Sequence, residues 1–267
     1  FLRGRGIRLD TNLGQHFLID ASVLKDIVTV ANIQKTDAIV EIGPGIGILT
    51  RELLSRAVHV TAIEIDPRMI PLLRIFTMSE QAVLPKNLTI VEGSALQAPM
   101  PETDYKIVAN IPYHITSPLL THVLLESPKR PKSLTLLIHR EVAENICSEE
   151  SDSMLTILVR LFGSPSLMRL VPPHCFLPPP KVDSAVIHIE WFPEPKANHE
   201  TMQRILKLAK LAFSKRRKML RNTIGETPYG AEAMKQIDIA ASRRPQTLSI
   251  DEWIALDRAL TKIRSTS

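Results

Sequence analysis

The tetrapeptide Asn110-Ile111-Pro112-Tyr113 combines residue types that could hold a planar, amine-bearing ring. It directly follows the apolar run 105–109, which predicts a buried strand. The Asn side-chain carbonyl can accept hydrogen bonds, and Pro fixes the backbone without an N–H of its own, so neighbouring carbonyls can point outward. The Tyr ring offers a flat face for stacking. Nucleobase binding is therefore one interpretation. A strand-to-loop turn is the other, because Asn and Pro are common turn residues.

A glycine-rich loop, Gly43-Pro44-Gly45-Ile46-Gly47, follows a second apolar run at residues 39–42. Its spacing is GxGxG, not GxGxxG, so it matches a nucleoside-binding loop better than a pyrophosphate-binding one. Glu64 lies 21 residues after Gly43, at the end of the next predicted strand. A carboxylate there can accept hydrogen bonds from both hydroxyls of a ribose. The pattern predicts a ribose-bearing cofactor; a tight strand–helix turn with a solvated Glu is the alternative.

Apolar segments that predict strands alternate with segments that predict helices over the first 190 residues. Strands are expected at 39–42, 58–63, 88–91, 105–109, 134–138, 167–171 and 184–191. Helices are expected at 48–56, after Asp66 with a break at Pro71, at 116–126, and as two short helices within 140–162. This alternation predicts a parallel sheet covered on both faces, whose ligands bind at the carboxyl ends of the strands. The glycine loop, Glu64, Ser94 and Asn110 all lie at such ends.

Composition divides the 267-residue chain into a nearly neutral body and a basic C-terminal part. Residues 200–267 hold 14 Lys and Arg against 7 Asp and Glu, a net charge of +7, so residues 1–199 carry −2 of the total +5. Proline-containing residues 193–199 predict a linker between domains at 1–192 and 200–267. Helical patterns cover residues 201–225, ended by Gly225, and residues 249–264, with Ser249 as N-cap and Glu252 three residues on. The basic part favours an anionic partner.

Several classes of chemistry lack their residues in this sequence. No Ser-His-Asp triad or Walker loop is present, and the two Cys and eight His have no metal-ligand spacing, so no metal site is predicted. No apolar run approaches the roughly 18 residues that a membrane-spanning helix needs. A nucleoside cofactor without a pyrophosphate site, facing an Asn-Pro-aromatic motif, points to methyl transfer from S-adenosylmethionine to an exocyclic amine.

Five motifs in order resemble those of a known family over nearly the whole chain. They are Leu13-Gly14-Gln15-His16-Phe17-Leu18, Glu41-Ile42-Gly43-Pro44-Gly45, Asn110-Ile111-Pro112-Tyr113, Phe176-Leu177-Pro178-Pro179-Pro180-Lys181-Val182-Asp183-Ser184 and Ala212-Phe213-Ser214-Lys215-Arg216-Arg217-Lys218. The chain resembles the S-adenosylmethionine-dependent rRNA adenine N6-dimethyltransferases, specifically the small-subunit type. The resemblance implies a class I (Rossmann-like) methyltransferase fold, with a seven-stranded, mostly parallel sheet and a small all-helical C-terminal domain.

The resemblance also implies roles for individual residues. The expected cofactor contacts are His16, Leu18, Gly43, Gly45, Glu64, Ser94 and Asn110. The expected catalytic residues are Asn110, which would accept hydrogen bonds from the adenine amine, and Tyr113 and Phe176, which would stack on the base. Core packing is the alternative for Phe176. His16 stands where Asn is frequent in the family, and Ser94 stands where Asp is usual.

The implied substrate is small-subunit rRNA within an immature small ribosomal subunit, dimethylated at two adjacent adenosines near its 3′ end. The residues expected to bind RNA phosphates are Lys215, Arg216, Arg217, Lys218 and Arg221. A solvated helix face is the alternative for this charge run. We expect a monomer acting in the cytoplasm, with an organelle as the alternative compartment.

Two other functions fit parts of the same pattern. A large-subunit rRNA methyltransferase of the macrolide-resistance type shares the fold and the Asn-x-Pro-Tyr motif. The stretch 176–184 and the Lys-Arg-Arg-Lys segment favour the small-subunit type instead. A ribosome-assembly or RNA-binding factor that acts without catalysis is the alternative from another class.

Replacing Ser94 by Asp is expected to tighten S-adenosylmethionine binding, because a charged acceptor for the adenine amine is worth more than a hydroxyl. Isothermal titration calorimetry on the wild-type protein and the Ser94→Asp variant measures this. Equal affinity in the two proteins would refute the assigned contact.

Overall fold

The computed structural model describes residues 16–79, 81–150, 153–214 and 218–266. Seven of its strands are β2 Ala38–Ile42, β3 His59–Glu64, β4 Leu88–Glu92, β5 Lys106–Asn110, β6 Ser133–His139, β7 Gly163–Val171 and β9 Ser184–Trp191. They form one sheet in the order β4-β3-β2-β5-β6-β9-β7. The first five lie parallel to one another, and β9 runs antiparallel to β6. The predicted class I methyltransferase sheet is confirmed.

Two short strands lie outside the main sheet and were not predicted. They are β1 Phe17–Leu18 and β8 Phe176–Leu177, which pair antiparallel with each other. The pair joins the first and fourth motifs of the sequence. A two-residue strand has no usable periodicity, so its pairing is decided by tertiary contacts.

The helices are α1 Ala21–Val30, α2 Ile48–Leu54, α3 Met69–Thr77, α4 Thr116–Thr121, α5 Arg140–Cys147, α6 Met154–Phe162, α7 His199–Phe213, α8 Gly230–Gln236 and α9 Ile250–Thr266. A turn of π-helix, His122–Glu126, continues α4. The prediction that Pro71 breaks the helix after β3 was wrong. Pro71 is the third residue of α3, and the first N–H groups of a helix have no partner within it, so Pro costs little there. No helix of the described residues is long and apolar enough to cross a membrane.

The order of the strands reverses between β2 and β5. From β2 the chain moves outward through β3 to β4, then returns to β5 and continues on the other side to β6. A parallel sheet leaves a crevice outside the carboxyl ends of its strands at such a point, and ligands bind there. The Gly43–Gly47 loop follows β2, and Asn110 is the last residue of β5, so both motifs lie at this crevice.

The sheet is the main core of the first half of the chain. Ile107, Val108 and Ala109 of β5 and Leu134 and Leu136 of β6 are all fully buried. A parallel strand covered on both faces requires apolar side chains in both directions. This explains why these segments are continuous apolar runs and not alternating ones.

Contacts between residues divide the chain into two compact units. One comprises residues Phe1–Ala143 and Ser166–Glu190, and the other Glu144–Pro165 and Trp191–Ser267. Within the second, the N–H groups of Phe192 and Lys196 donate to the carbonyls of Phe162 and Leu161 at 2.9 Å each, which explains why α6 groups with the C-terminal helices. The limits 1–192, 193–199 and 200–267 stay a prediction.

The long helix predicted for residues 201–225 was wrong. The helix α7 ends at Phe213, and two 3₁₀ turns follow at Leu220–Asn222 and Ile224–Glu226. The N–H groups of Leu220 and Arg221 donate to the carbonyls of Arg243 and Ala241, at 2.8 and 2.9 Å. Since those N–H groups are bonded to a distant segment, they cannot form the bonds to the preceding turn that a continuous helix needs.

The start of α9 confirms the predicted capping box. The Ser249 hydroxyl accepts a hydrogen bond from the N–H of Glu252 at 3.2 Å, and a Glu252 carboxylate oxygen accepts from the N–H of Ser249 at 2.7 Å. Further along α9, the Asp257 carboxylate is 2% exposed. It accepts three hydrogen bonds from Arg204 of α7, at 2.9, 3.2 and 3.0 Å. This pair joins α7 to α9.

Replacing Asp257 by Ala is expected to lower the free energy of unfolding by about 2 kcal/mol, because it removes a buried carboxylate that accepts hydrogen bonds from the partly exposed Arg204. The matched control is Asp251→Ala on the same helix, whose side chain is 80% exposed and pairs with Lys196 at 3.0 Å. Its loss is expected to cost at most about 1 kcal/mol. Urea unfolding measures both, and equal losses would contradict the assignment of Arg204–Asp257 as a structural pair.

Candidate active site

One cavity lies at the carboxyl ends of β2, β3, β4 and β5. Every cofactor contact expected from the sequence lines it: His16, Leu18, Gly43, Gly45, Glu64, Ser94 and Asn110. The structure therefore brings together residues from five separate stretches of the chain. Their individual roles toward a ligand stay predictions.

The glycine loop passes close to other parts of the chain. Gly43, Gly45 and Gly47 have φ angles of +67°, +57° and +92°, a region that other residues rarely adopt. A Cβ atom on Gly45 would lie 2.5 Å from the Phe17 ring, and one on Gly43 would lie 3.7 Å from the Asn110 carbonyl oxygen. The Phe17 ring therefore leaves room only for glycine at position 45, and the positive φ angles favour glycine at all three positions.

The carboxylate of Glu64 is held in place by two backbone groups. It is 5% exposed. Its Oε2 accepts a hydrogen bond from the N–H of Gly45 at 3.0 Å, and its Oε1 accepts from the N–H of Asp66 at 2.8 Å. Burial raises the pKa of Glu64, and these two hydrogen bonds oppose the rise. Each oxygen keeps a further lone pair, so the carboxylate can accept hydrogen bonds from a pair of ligand hydroxyls.

A second buried carboxyl group, on Glu41 of β2, also lines the cavity and was not among the predicted contacts. Glu41 is 1% exposed, and its Oε2 has no hydrogen-bond partner among the described residues. Burial raises its pKa to about 8, and the nearby charge of Glu64 acts in the same direction. An acidic residue inside the otherwise apolar run Ile-Val-Glu-Ile could have been noticed in the sequence, because such a group is rarely buried without a purpose.

The amide group of Asn110 is oriented by a neighbouring backbone carbonyl. Its Nδ2 donates a hydrogen bond to the carbonyl oxygen of His16 at 3.3 Å. Since the amide nitrogen is the donor, Oδ1 remains as an acceptor on a side chain that lines the cavity. Pro112 and His114 line the same cavity; His114 was not predicted, although it directly follows the motif. The side chain of Tyr113 lies outside the described part of the structure.

Phe176 does not line the cavity in this arrangement. It is 3% exposed and belongs to a hydrophobic cluster with Leu18, Val23 and Cys175. The pairing of β1 with β8 sets Phe176 opposite Leu18. This environment favours the core-packing alternative, and stacking on a base stays a prediction for Phe176.

Ser94 has a local role as well as lining the cavity. Its hydroxyl oxygen accepts a hydrogen bond from the N–H of Leu96 at 3.3 Å, and its carbonyl accepts from the N–H groups of Gln97 and Ala98.

Of the five residues expected to bind RNA, Lys215, Arg216 and Arg217 lie outside the described residues. Lys218 and Arg221 are exposed. Among the described residues, no group of three His, Cys, Asp or Glu is placed to hold a metal ion.

The fold and the pocket together define a class I methyltransferase domain. The chain belongs to the ribosomal RNA adenine dimethylase family, whose model matches residues 6–262. It is an S-adenosylmethionine-dependent rRNA adenine dimethyltransferase. The pocket fits that cofactor, because Glu64 can accept hydrogen bonds from ribose hydroxyls, and Glu41 Oε2, which has no partner in the described part of the chain, suits an ammonium group.

Individual relatives cover nearly the whole chain. A protein from Clostridium botulinum named ribosomal RNA small subunit methyltransferase A is 38% identical over 258 residues, 92% of each chain. One of the same name from Dehalococcoides mccartyi is 36% identical over 94% of this chain and 88% of its own.

Solved structures give the same class. A dimethyladenosine transferase from Plasmodium falciparum superimposes with a TM-score of 0.77 at 27% identity, over 92% of this chain and 98% of its own. The 23S rRNA methyltransferase ErmE superimposes with a TM-score of 0.70 at 27% identity, over 92% and 99%.

The contribution of Glu41 and Glu64 to the free energy of unfolding is expected to fall as pH rises from about 5 to about 8.5, because the folded protein binds their protons more tightly than the unfolded chain does. Between the ordinary pKa of 4.5 and about 8, folded Glu41 holds a proton that the unfolded chain has lost. A Glu41→Gln variant stays neutral at every pH, so its stability should fall less over that range. Urea unfolding at both ends of the range measures this, and equal falls in both proteins would contradict it.

Proposed function

We propose that this protein transfers methyl groups from S-adenosylmethionine to N6 of two adjacent adenosines near the 3′ end of small-subunit rRNA, giving N6-dimethyladenosine. The single observation that carries the site assignment is the amide of Asn110. Its nitrogen donates to the His16 carbonyl, so its oxygen, to which no described residue donates, remains as an acceptor on a side chain that lines the same cavity as Glu64. The relatives of 36–38% identity named small subunit methyltransferase A support the choice of subunit.

The cofactor supplies a sulfonium methyl group that is already activated, so the protein mainly has to align it with the amine nitrogen. The N6 lone pair of adenine is delocalised into the ring. We propose that Asn110 Oδ1 and the carbonyl of Ile111 or Pro112 accept hydrogen bonds from the two amine hydrogens. As the nitrogen becomes tetrahedral, these acceptors stabilise its developing positive charge.

In each transfer, the bond from sulfur to the methyl carbon breaks as the bond from N6 to that carbon forms. The positively charged product amine is acidic and loses its proton to solvent, so no strong general base is needed. We propose that Tyr113 stacks on the extruded adenine, an interaction worth about 1–3 kcal/mol per base.

We propose that RNA phosphates are bound by Lys215, Arg216, Arg217, Lys218 and Arg221. The net charge of +7 over residues 200–267 supports this, as do the exposed side chains of Lys207 and Lys210 on α7. Such contacts would give affinity and a steep salt dependence, without sequence choice. A basic helical RNA-binding domain at residues 200–267 is part of this proposal.

We propose that the enzyme acts as a monomer on immature small subunits in the cytoplasm, or in an organelle. The cavity-lining residues lie between His16 and Ile115. The similarity to ErmE, at a TM-score of 0.70, keeps the large-subunit substrate as the second candidate. Methylation of purified small and large subunits with labelled S-adenosylmethionine separates them: label in the large subunit alone would refute the small-subunit assignment.

Replacing Asn110 by Ala is expected to lower kcat about 100- to 1000-fold, the usual effect of losing one preorganised hydrogen-bonding group at a reacting centre. The comparison variant is Tyr113→Ala. Its kcat should fall less, because we propose that the Tyr113 ring stacks on the base without touching the reacting amine. Thermal unfolding and cofactor calorimetry verify that both variants stay folded. Near-normal turnover in Asn110→Ala would overturn the mechanism, and binding of this variant to immature subunits tests a separate assembly role.

A further inference from the structure

The side chain of His16 makes a specific contact away from the cavity. Its Nδ1 lies 2.8 Å from the carbonyl oxygen of Pro178. A carbonyl can only accept a hydrogen bond, so Nδ1 carries the proton and donates it. The backbone carbonyl of the same residue accepts the hydrogen bond from Asn110 Nδ2. One residue therefore contacts both the catalytic amide and the Pro178 backbone.

Residues 16–19 form a connection between two parts of the site. On one side, the Phe17 ring packs against Gly45, where it leaves no room for a Cβ atom. On the other side, β1 pairs with β8, and the N–H of Ile19 donates to the Cys175 carbonyl at 2.9 Å. The glycine loop that lines the cofactor pocket and the segment before Pro178 are thus held by the same short stretch of chain.

Residues 178–183, the proline loop, are fixed at both ends. At the far end, the N–H of Arg140 donates to the Asp183 carbonyl at 3.0 Å, and the two side chains form an ion pair at 3.4 Å. At the near end, the side-chain bond is that of the His16 imidazole to Pro178. Lys181 and Val182 between them are exposed. The imidazole bond therefore holds Pro178 directly, next to the paired residues Phe176 and Leu177.

We propose that His16 is a positioning residue for methyl transfer: by donating Nδ1–H to Pro178, its side chain fixes its own backbone carbonyl where that carbonyl orients the Asn110 amide. The inference rests on the proposed function, because it assigns Asn110 to the reacting amine. It differs from the role expected from the sequence, a direct cofactor contact. Such a contact would use Nε2, the ring nitrogen that is not bonded to Pro178.

Two substitutions separate the roles of the two ring nitrogens. The amide nitrogen of Asn is attached to Cγ, as Nδ1 of His is, so His16→Asn can still donate to Pro178. The amide nitrogen of Gln is one atom further out, nearer to the place of Nε2, so His16→Gln can replace a cofactor contact but not the bond to Pro178. Both variants keep a polar side chain at this position, and the comparison does not depend on a truncation.

The experiment measures kcat on small ribosomal subunits at saturating S-adenosylmethionine, together with the calorimetric Kd of the cofactor. His16→Gln is expected to lower kcat by about tenfold or more, the effect of losing a hydrogen bond that orients a catalytic group. His16→Asn should stay within about threefold of wild type, and Kd should change by less than about threefold in both variants. Full activity in His16→Gln, a loss in His16→Asn, or a loss of kcat that is matched by weaker cofactor binding would each overturn the proposal.

A second measurement does not depend on catalysis. Trypsin can cleave after the exposed Lys181 in the proline loop, and release of the near end should let the loop unfold more readily into the protease active site. Cleavage there is expected to be faster in His16→Gln than in wild type and His16→Asn, with cleavage after Lys25 as the internal control. Equal cleavage rates in all three proteins would overturn the proposed role of the bond to Pro178, whether or not the wild-type protein methylates rRNA. Failure of the wild-type protein to methylate rRNA would instead refute the proposed function.

Discussion

The carboxylate of Glu64 joins the two loops that form the cofactor side of the pocket. It accepts hydrogen bonds from Gly45, in the loop after β2, and from Asp66, in the turn after β3. Because Glu64 is 5% exposed, these bonds form where water competes little, and an unpartnered group there would be costly. The shape of the glycine loop, and the packing of Phe17 against it, depend on this arrangement.

The cavity has two buried carboxyl groups on one side and a neutral amide on the other. Glu41 and Glu64 lie at the ends of β2 and β3, and Asn110 lies at the end of β5. Burial raises the pKa of both carboxyl groups, to about 8 for Glu41, and a cationic ligand beside them would lower it again. The amide side can stabilise a developing charge without holding one itself.

The C-terminal helices combine a buried ion pair with an exposed basic surface. Arg204 and Asp257 join α7 and α9, and Trp253 is fully buried with its ring 6.2 Å from that of Phe213. With the packing supplied by these residues, the exposed cations Lys207, Lys210, Lys218 and Arg221 are available for a polyanion. This separation of structural from exposed charge is what a phosphate-binding domain requires.

The sequence alone determined the fold class and the location of the site residues at one edge of the sheet. Buried parallel strands are continuous apolar runs, so the polar residues that end them, from the glycine loop to Asn110, could be assigned to one edge of a sheet. The capping box at Ser249 was equally visible, because its partners are three residues apart.

Tertiary structure decided the features that depend on distant partners. The early end of α7 follows from backbone bonds of Leu220 and Arg221 to residues 241–243, which no local pattern encodes. The burial of Phe176 follows from the pairing of β8 with β1, and the orientation of Asn110 follows from the carbonyl of His16. Residue type and spacing specify which groups reach the edge of the sheet, but long-range hydrogen bonds fix the direction in which each group points.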